Sequence, residues 1–415
     1  MSAAVQVMST TVAGDNEGSL LDPVLLARLA EISPSRYRRR RRVEAPDIAH
    51  PVRVVVDGRS CISFCSNDYL GLASHPAVIS ACVVAAQRYG VGSGASHLIT
   101  GHGPEHDALE SELATFTGRE RALVFSTGYM ANLGIASALF SSRDRVLEDR
   151  LNHASLLDAG LGSGARVSRY AHADAGALER RLARVSDAAS PGSSWVLTDG
   201  VFSMDGDVAP LPALARTARH YRAHLIVDDA HGLGVLGRNG RGSVDAAGLD
   251  ATSVPVLMGT LGKAFGTFGA FVAGSSSLIE LLIQRARTYI YTTALPPPIA
   301  AATRASLRIA QDEQWRRDRL HGHIARFREH AASNGWPVLP SSTPIQPIVL
   351  GSEEAALRAS NELLDAGFLV SAIRPPTVPE GSARLRITLS AAHEDDDVER
   401  LLTALTRLKS LRGLA

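Results

Sequence analysis

Residues 225–232 read Leu-Ile-Val-Asp-Asp-Ala-His-Gly, a short apolar run that ends in two carboxylates and an imidazole. An apolar run of this length with polar residues after it is typical of a parallel strand buried on both faces. Ligands of such sheets bind at the carboxyl ends of the strands, so Asp228 and His231 are candidate site residues. A buried carboxylate is costly unless a cation faces it, and that cation could be a protonated ring nitrogen, a metal ion or a basic side chain.

The next apolar run along the chain, residues 256–258, leads into Gly-Thr-Leu-Gly-Lys-Ala-Phe-Gly at 259–266. Small residues around Lys263 would let a flat group approach the backbone, and Thr260 could offer a hydroxyl to a phosphate. Of the 43 lysine and arginine residues only Lys263 and Lys409 are lysine. Because arginine carries nearly all the other positive charge, Lys263 indicates chemistry that needs a primary amine of adjustable pKa. The spacing of a Walker A phosphate loop is absent.

Further short apolar runs alternate with helical patterns on both sides of these segments. The predicted strands cover 122–125, 145–148, 195–199, 225–228, 256–258 and 269–273, and helices are predicted at 105–117, 127–140 and 210–222. This alternation predicts an α/β fold with a mostly parallel, doubly wound sheet.

Both ends of the chain have patterns of their own. A helix is predicted over 23–42, and apolar residues alternate over 52–64 around Asp57-Gly58, which predicts a hairpin. After Leu295-Pro296-Pro297-Pro298, a long helical stretch over 300–334 precedes strands near 345–350 and 384–389 and helices near 353–366 and 394–411. We therefore expect three parts: an N-terminal tail, helix and hairpin (1–64), a large domain (65–298) and a smaller C-terminal α/β domain (299–415).

Composition limits the classes of function. A net charge of +1 and a hydrophobic fraction of 45% describe an ordinary globular protein without a field that attracts nucleic acid or membranes. No apolar run reaches the roughly 18 residues of a membrane span, and no signal sequence is visible. The three cysteines suit neither a zinc site nor a disulfide framework, so we expect no metal and a cytoplasmic location. The run Arg38–Arg42 could bind nucleic acid, although a solvated helix end is the simpler interpretation.

Three other predicted strand ends carry polar residues. The segment 126–132, Ser-Thr-Gly-Tyr-Met-Ala-Asn, opens a helix and is either an anion site or a plain helix cap. His153 follows another strand and could stack on a ring or simply hydrogen-bond, and Ser203 lies after a third. Together with Asp228 and Lys263 this set fits pyridoxal 5'-phosphate (PLP) better than a nicotinamide cofactor, because no G-x-G-x-x-G motif opens a helix after a strand.

Four segments carry a resemblance to a known family: Phe-Cys-Ser-Asn-Asp-Tyr-Leu-Gly-Leu at 64–72, Gly-Ser-Gly-Ala-Ser at 92–96, Val-Asp-Asp-Ala-His-Gly at 227–232 and Gly-Lys-Ala-Phe-Gly at 262–266. From about Arg38 to its C-terminus the chain resembles the α-oxoamine synthases, a group of fold-type I PLP-dependent transferases. The resemblance implies a homodimer with shared active sites. Residues 372–379 and 383–389 are most similar to the branch that condenses L-alanine with pimeloyl-CoA or pimeloyl-acyl carrier protein in biotin biosynthesis. A sibling activity, such as glycine C-acetyltransferase, stays open.

The resemblance also implies roles around the cofactor. Lys263 would form the Schiff base and later take the Cα proton, and Asp228 would pair with the pyridinium nitrogen. His231 and Ser203 would bond the phenolic oxygen, while His153 would stack on the ring. The phosphate would be held by Gly128, Tyr129 and Thr260, with Thr293 of the other subunit.

For the substrates, the resemblance implies that Arg386 binds the amino-acid carboxylate and that Thr377 lies along the acyl chain. One arginine of the basic run would join Thr377: Arg38 if Val43 is the anchor, or Arg41 by an ungapped count from Asn67. The remaining candidates for substrate contact are Asn67, Ser96 and Arg374. Two positions depart from the family pattern, since His97 replaces an arginine common in relatives and Asp199 replaces a glutamate.

Overall fold

The computed structural model describes residues 21–31, 44–186 and 192–412. Helix α1 (Leu21–Ala30) comes first, and strands β1 (Glu44–Pro46), β2 (Arg53–Val56) and β3 (Arg59–Ser63) follow. Strands β2 and β3 pair antiparallel across Asp57 and Gly58, which both have positive φ, so the predicted hairpin is confirmed. Of the helix predicted over 23–42, α1 accounts for the first part only, and residues 32–43 lie outside the described ranges.

Six of the seven strands described in the large sheet lie in segments that the apolar runs predicted. In chain order this part contains α2 (Pro76–Tyr89), α3 (Pro104–Thr117), β4 (Arg121–Phe125), α4 (Gly128–Leu139), β5 (Arg145–Asp149), α5 (Ala154–Gly162), β6 (Arg166–Tyr170), α6 (Ala175–Ser186), β7 (Ser194–Asp199), α7 (Leu211–His220), β8 (His224–Asp228), α8 (Ser243–Ala246), β9 (Val256–Thr260), β10 (Ala270–Gly274), α9 (Ser276–Arg285) and α10 (Arg287–Ile290).

The seven strands described in this sheet have the order β4-β10-β9-β8-β7-β5-β6. Strands β9, β8, β7, β5 and β6 run parallel, and β10 is antiparallel to both of its neighbours. The predicted α/β fold with a mostly parallel sheet is therefore confirmed. Because β5, β7, β8 and β9 point the same way, the residues that follow them meet at one edge of the sheet.

The C-terminal part forms a smaller unit of helices and antiparallel strands. It contains α11 (Pro297–Asp312), α12 (Gln314–Ser333), β11 (Ile345–Gly351), α13 (Glu353–Asp365), β12 (Phe368–Leu369), β13 (Ser371–Ile373), β14 (Ala383–Thr388) and α14 (Asp395–Arg412). The helical stretch predicted over 300–334 is confirmed, and it consists of two helices because the chain leaves helical geometry at Glu313 (φ −95°, ψ 70°).

The strands of the small unit pair in two different sheets. Strands β11, β14 and β13 form their own antiparallel sheet, whereas β12 pairs in parallel with β3 of the N-terminal hairpin. Strand β12 therefore connects the small unit to the N-terminal hairpin. The division of the chain at residues 64 and 298 stays a prediction. No helix of the described ranges is long and apolar enough to cross a membrane.

Candidate active site

The amine of Lys263 lies at the centre of the candidate site, just beyond the end of β9. Its Nζ atom is 2.7 Å from Nε2 of His231, which follows β8. Burial lowers the pKa of Lys263 to about 8, although the charges of Asp228 and Asp199 act in the opposite direction. A partly buried amine with this pKa can exchange a proton near neutral pH, which an ordinary surface lysine does rarely.

His231 contacts a second residue through its other ring nitrogen. The hydroxyl of Tyr69 is 2.6 Å from Nδ1 of His231 and 3.3 Å from Oδ1 of Asn67. Burial raises the pKa of Tyr69 to about 12, so the phenol keeps its proton. Burial and the charge of Lys263 hold the pKa of His231 well below its usual range. The phenol has one proton, and Nδ1 of His231 is nearer to it than Oδ1 of Asn67. When Tyr69 donates to Nδ1, the ring proton of the neutral imidazole lies on Nε2 and faces the site.

Asp228 is buried at the end of β8 with a hydrogen-bond donor on each carboxylate oxygen. Oδ2 accepts a hydrogen bond from Nδ2 of Asn132 (2.8 Å), and Oδ1 accepts one from the N–H of Ala230 (3.1 Å). Both donors are neutral, and no described arginine, lysine or histidine forms an ion pair with this carboxylate. A protonated pyridine nitrogen would supply the missing cation, so the residues present fit PLP.

His153 caps the N-terminus of α5 next to the same carboxylate. Its Nδ1 atom lies 2.8 Å from the hydroxyl of Ser155 and accepts the N–H of Ser155 at 3.3 Å. Its backbone N–H donates to Oδ2 of Asp199 at 2.7 Å. Burial lowers the pKa of His153, while burial and the neighbouring Asp228 raise the pKa of Asp199 well above its usual range. The aspartate that departs from the family pattern therefore fixes the loop that carries His153.

Arg386 brings the small sheet to the site from β14. Its Nε donates to the carbonyl oxygen of Ser203 (2.7 Å), and Nη2 donates to Oδ1 of Asn67 (3.2 Å). Nη1 donates to the hydroxyl of Thr388 at 3.0 Å, and the side chain is buried. A buried guanidinium that is held by neutral acceptors is well suited to bind a carboxylate from a ligand.

The predicted phosphate site lies at the start of α4. Thr127 caps this helix by accepting the N–H of Met130 at 3.1 Å. The N–H groups of Gly128 and Tyr129, in the first turn, have no carbonyl partner within the helix, so they are available to an anion such as a phosphate. Thr260 ends β9, donates its hydroxyl proton to the carbonyl oxygen of Gly269 (3.1 Å) and accepts the N–H of Gly262 (3.4 Å), so this proton must turn away from Gly269 before it can reach a phosphate.

The other predicted site residues lie on other segments of the chain. Ser96 and Thr293 form an isolated antiparallel bridge, and Thr293 is exposed. Arg374 and Thr377 follow β13, where the N–H of Thr377 donates to the carbonyl oxygen of Arg374 at 3.1 Å. The arginine run that contains Arg38 and Arg41 lies outside the described residues.

Three residues of the site were missed by sequence reasoning: Tyr69, Asn132 and Ser155. Each lies inside a segment that drew attention for another residue, namely 64–72, 126–132 and 152–155. A tyrosine, an asparagine and a serine in apolar surroundings have ordinary structural explanations, so residue type alone gave no signal. Their burial beside His231, Asp228 and His153 became visible only in the folded chain.

Comparison with known proteins agrees with this geometry. The family model "Aminotransferase class I and II" matches residues 59–405. The chain is 62% identical to the 8-amino-7-oxononanoate synthase of Methylococcus capsulatus and 60% identical to that of Thioalkalivibrio sulfidiphilus. The alignments cover 91% of this chain in both cases and 96% and 94% of the relatives. A serine palmitoyltransferase from S. paucimobilis, solved with PLP bound, superposes with a TM-score of 0.88 at 29% identity and covers 96% of this chain and 100% of that one.

The chain thus belongs to the aminotransferase class I and II family and is a fold-type I, PLP-dependent transferase. Within that family, the curated relatives at 54–62% identity are 8-amino-7-oxononanoate synthases, which confirms the resemblance to the α-oxoamine synthases.

Proposed function

We propose that this chain condenses L-alanine with a pimeloyl thioester to give 8-amino-7-oxononanoate in biotin biosynthesis. A bond forms between Cα of alanine and the thioester carbonyl carbon, the thiol leaves, and the alanine carboxylate departs as CO2. The observation that carries the proposal is the partly buried Lys263 amine beside His231, with Asp228 and Arg386 close enough to affect its charge. The names of the relatives support the choice of product.

When bound, PLP supplies an electrophilic carbon for amines and a ring that accepts negative charge from the substrate Cα. Lys263 would hold it covalently and then, once released as a free amine, take the Cα proton. A pKa of about 8 suits that task, because the amine is partly deprotonated near neutral pH. Asp228 would keep the ring nitrogen protonated, and the neutral donors Asn132 and Ala230 hold its carboxylate in place.

Arg386 and Asn67 would bind and orient the amino acid. The guanidinium is fixed by the Ser203 carbonyl, the Thr388 hydroxyl and the Asn67 amide oxygen, so little side-chain entropy is lost when a carboxylate arrives. His231 would offer its Nε2 proton to an oxygen of the cofactor ring. His153 would cover the ring face and exclude water from it.

We also propose that the enzyme is a homodimer in which Thr293 reaches the partner's phosphate site. Thr293 is exposed on its own chain and bridges Ser96. Large apolar side chains are exposed on the neighbouring segments: Val83, Val84, Val91, Ile99 and Tyr291. An exposed apolar surface of this kind is typical of a subunit interface. By this proposal Ser96 also belongs to the partner's site.

The identity of the thiol is left open by this proposal, which covers both CoA and acyl carrier protein as carriers. A cytoplasmic location is part of it, because three cysteines that form no disulfide among the described residues suit a reducing compartment.

The test is a panel of amino acids against acyl thioesters, with thiol release as the readout and mass spectrometry of the product. L-alanine with a pimeloyl thioester should give the highest kcat/KM. A preference for glycine with acetyl-CoA would instead assign the sibling glycine C-acetyltransferase activity. Absence of turnover with every pair, from protein that carries PLP, would contradict the proposal.

A further inference from the structure

One chain of hydrogen bonds joins the two sides of the cofactor site. Nδ1 of His153 contacts the hydroxyl of Ser155 at 2.8 Å, and Nδ2 of Asn132 donates to that hydroxyl at 2.8 Å. The same amide nitrogen donates to Oδ2 of Asp228, again at 2.8 Å. His153 is expected to cover the ring face, and Asp228 is expected to hold the ring nitrogen. Asn132 and Ser155 therefore connect these two residues through hydrogen bonds.

Charge fixes the orientation of the Asn132 amide. Its Nδ2 group has two protons, and each is directed at one acceptor: the Ser155 hydroxyl and the Asp228 carboxylate. The opposite orientation would place Oδ1 against a carboxylate, which repels it. Asn132 is 1% exposed, and its Oδ1 atom has no hydrogen-bond partner in the described structure. An unsatisfied buried acceptor opposes folding, so stability alone does not explain an asparagine here.

The donors around Ser155 fix the tautomer of His153. The Ser155 hydroxyl accepts a proton from Asn132, so its own proton is free to point at Nδ1 of His153. The backbone N–H of Ser155 donates to the same nitrogen. A nitrogen that accepts two donors carries no proton, so the proton of the neutral imidazole must be on Nε2.

We propose that Asn132 and Ser155 are positioning residues for the reaction, acting as one relay. Asn132 holds the Asp228 carboxylate in place for the ring nitrogen, and Ser155 holds His153 as the Nε2–H tautomer. The relay couples the two, because one amide nitrogen serves both acceptors. The proposal rests on the PLP-dependent function and is independent of which acyl thioester is used.

The test compares Asn132→Ala, Ser155→Ala and the double variant with Ser137→Ala, whose hydroxyl donates to the Gly134 carbonyl in the same helix and serves as the control. Three readouts are measured: the PLP dissociation constant, kcat for thiol release, and the protonation of the His153 ring nitrogens by 15N NMR in the apoprotein. His153→Gln identifies the resonance.

We expect Asn132→Ala to weaken PLP binding and lower kcat by about 10- to 100-fold, and Ser155→Ala to lower kcat by about 3- to 10-fold. The double variant should lose less than the product of the single effects, because the relay is already broken. Wild-type His153 should carry its proton on Nε2, and Ser155→Ala should give a mixture of tautomers. Ser137→Ala should change none of these readouts.

Two results would overturn the proposal: a wild-type His153 protonated on Nδ1, or a folded Asn132→Ala variant with normal PLP affinity and kcat. The NMR and PLP measurements need no substrate, so they remain decisive even if the alanine condensation is not found. If Asn132→Ala does not fold, Asn132→Ser replaces it, because serine keeps a short hydrogen-bond donor in place. Asn132→Ser should also weaken PLP binding and lower kcat, but by smaller factors.

Discussion

The phenol of Tyr69 and the imidazole of His231 are joined by a hydrogen bond of 2.6 Å, on the side of the ring opposite to Lys263. Tyr69 comes from the N-terminal segment, His231 from the end of β8 and Lys263 from the end of β9. The contact therefore links three parts of the chain in one line that ends at the reactive amine. Because burial keeps the phenol protonated, Tyr69 can fix the position of the proton on His231.

Replacing Tyr69 with phenylalanine should lower kcat/KM while leaving PLP bound. Phenylalanine keeps the ring in the core but leaves Nδ1 of His231 without a donor, which costs about 1–3 kcal/mol. Thiol release should therefore fall by roughly 5- to 150-fold, and the absorbance of bound PLP should persist. Tyr221→Phe, remote from the site, is the matched control. Unchanged kcat/KM in Tyr69→Phe would show that the contact serves packing alone.

The chain offers a clean test of the reactive amine, because Lys263 and Lys409 are its two lysines. Lys263→Ala should lose the absorbance of covalently bound PLP and all turnover. Borohydride reduction followed by peptide mapping should place the cofactor on the peptide that contains residue 263. Lys409→Gln, which alters the C-terminal helix α14, should retain both properties. A reducible adduct that survives in Lys263→Ala would rule out the assignment.

Asp228→Asn tests whether the buried carboxylate holds a ring proton. An amide cannot stabilise a pyridinium, so the activation free energy should rise by about 2–4 kcal/mol. This corresponds to a decrease in kcat of roughly 30- to 1,000-fold. The measurement is single-turnover loss of the substrate Cα proton with saturating PLP. A variant with full cofactor occupancy and nearly normal kcat would assign Asp228 a structural role.

The strand ends were predictable because β5, β7, β8 and β9 each contain a short apolar run that is followed by polar residues. That pattern located Asp228, Lys263 and His153 without any structure. Strand β6 (Arg166–Tyr170) was not predicted, because it lies at the edge of the sheet. Its partly exposed arginines and serine interrupt the apolar pattern by which the other strands were recognised. The break between the two helices at Glu313 was not predicted either, because the sequences on both sides of it have helical patterns.

The supporting contacts could not be predicted for a different reason. Arg386 reaches Asn67 across 319 positions of sequence, and Asn132 reaches Asp228 across 96. A single sequence has no local pattern that records such distant pairs. In the sequence, Asn67 and Asn132 are ordinary polar residues. Their roles follow only from the fold, which places each of them beside a charged side chain.

Amino-acid choice should depend on Ser96, which lies against Thr293 at the surface proposed to enter the partner's site. The family resemblance implies threonine at this position in the 5-aminolevulinate synthases, which use glycine, and the extra methyl group would occupy space that the alanine side chain needs. One methyl group is worth about 1–3 kcal/mol in a packed pocket, so wild type should favour alanine by roughly 10- to 200-fold.

Ser96→Thr should therefore raise kcat/KM for glycine relative to alanine while the PLP absorbance stays unchanged. Ser93→Thr, at the neighbouring serine, is the control. A wild-type preference for glycine, or a Ser96→Thr enzyme with the wild-type ratio, would show that Ser96 does not set the choice.

His172 forms an ionic bridge behind the site. Its Nδ1 is 3.0 Å from Oδ1 of Asp149 at the end of β5, and its Nε2 is 3.0 Å from Oδ2 of Asp207. Both ring nitrogens face carboxylates, so the imidazolium form is favoured. Burial by itself would lower the pKa of His172, but the hydrogen bonds to Asp149 and Asp207 raise it to about 10. The bridge ties the loop that contains Ser203 to the sheet.

The raised pKa predicts how stability depends on pH. A histidine whose pKa is higher in the folded chain than in the unfolded chain, where it is about 6.5, stabilises the fold fully below that lower value. The contribution then decreases as the pH rises from about 6.5 and is lost above about 10. The side chain is 20% exposed, so solvent screening reduces the effect to about 1–2 kcal/mol.

Urea unfolding measures this contribution. Between pH 6 and pH 10, the free energy of unfolding of wild type should decrease by this amount relative to that of His172→Gln. His220→Gln, on the outer helix α7, is the control. Parallel stability curves for wild type and His172→Gln over that interval would contradict the bridge.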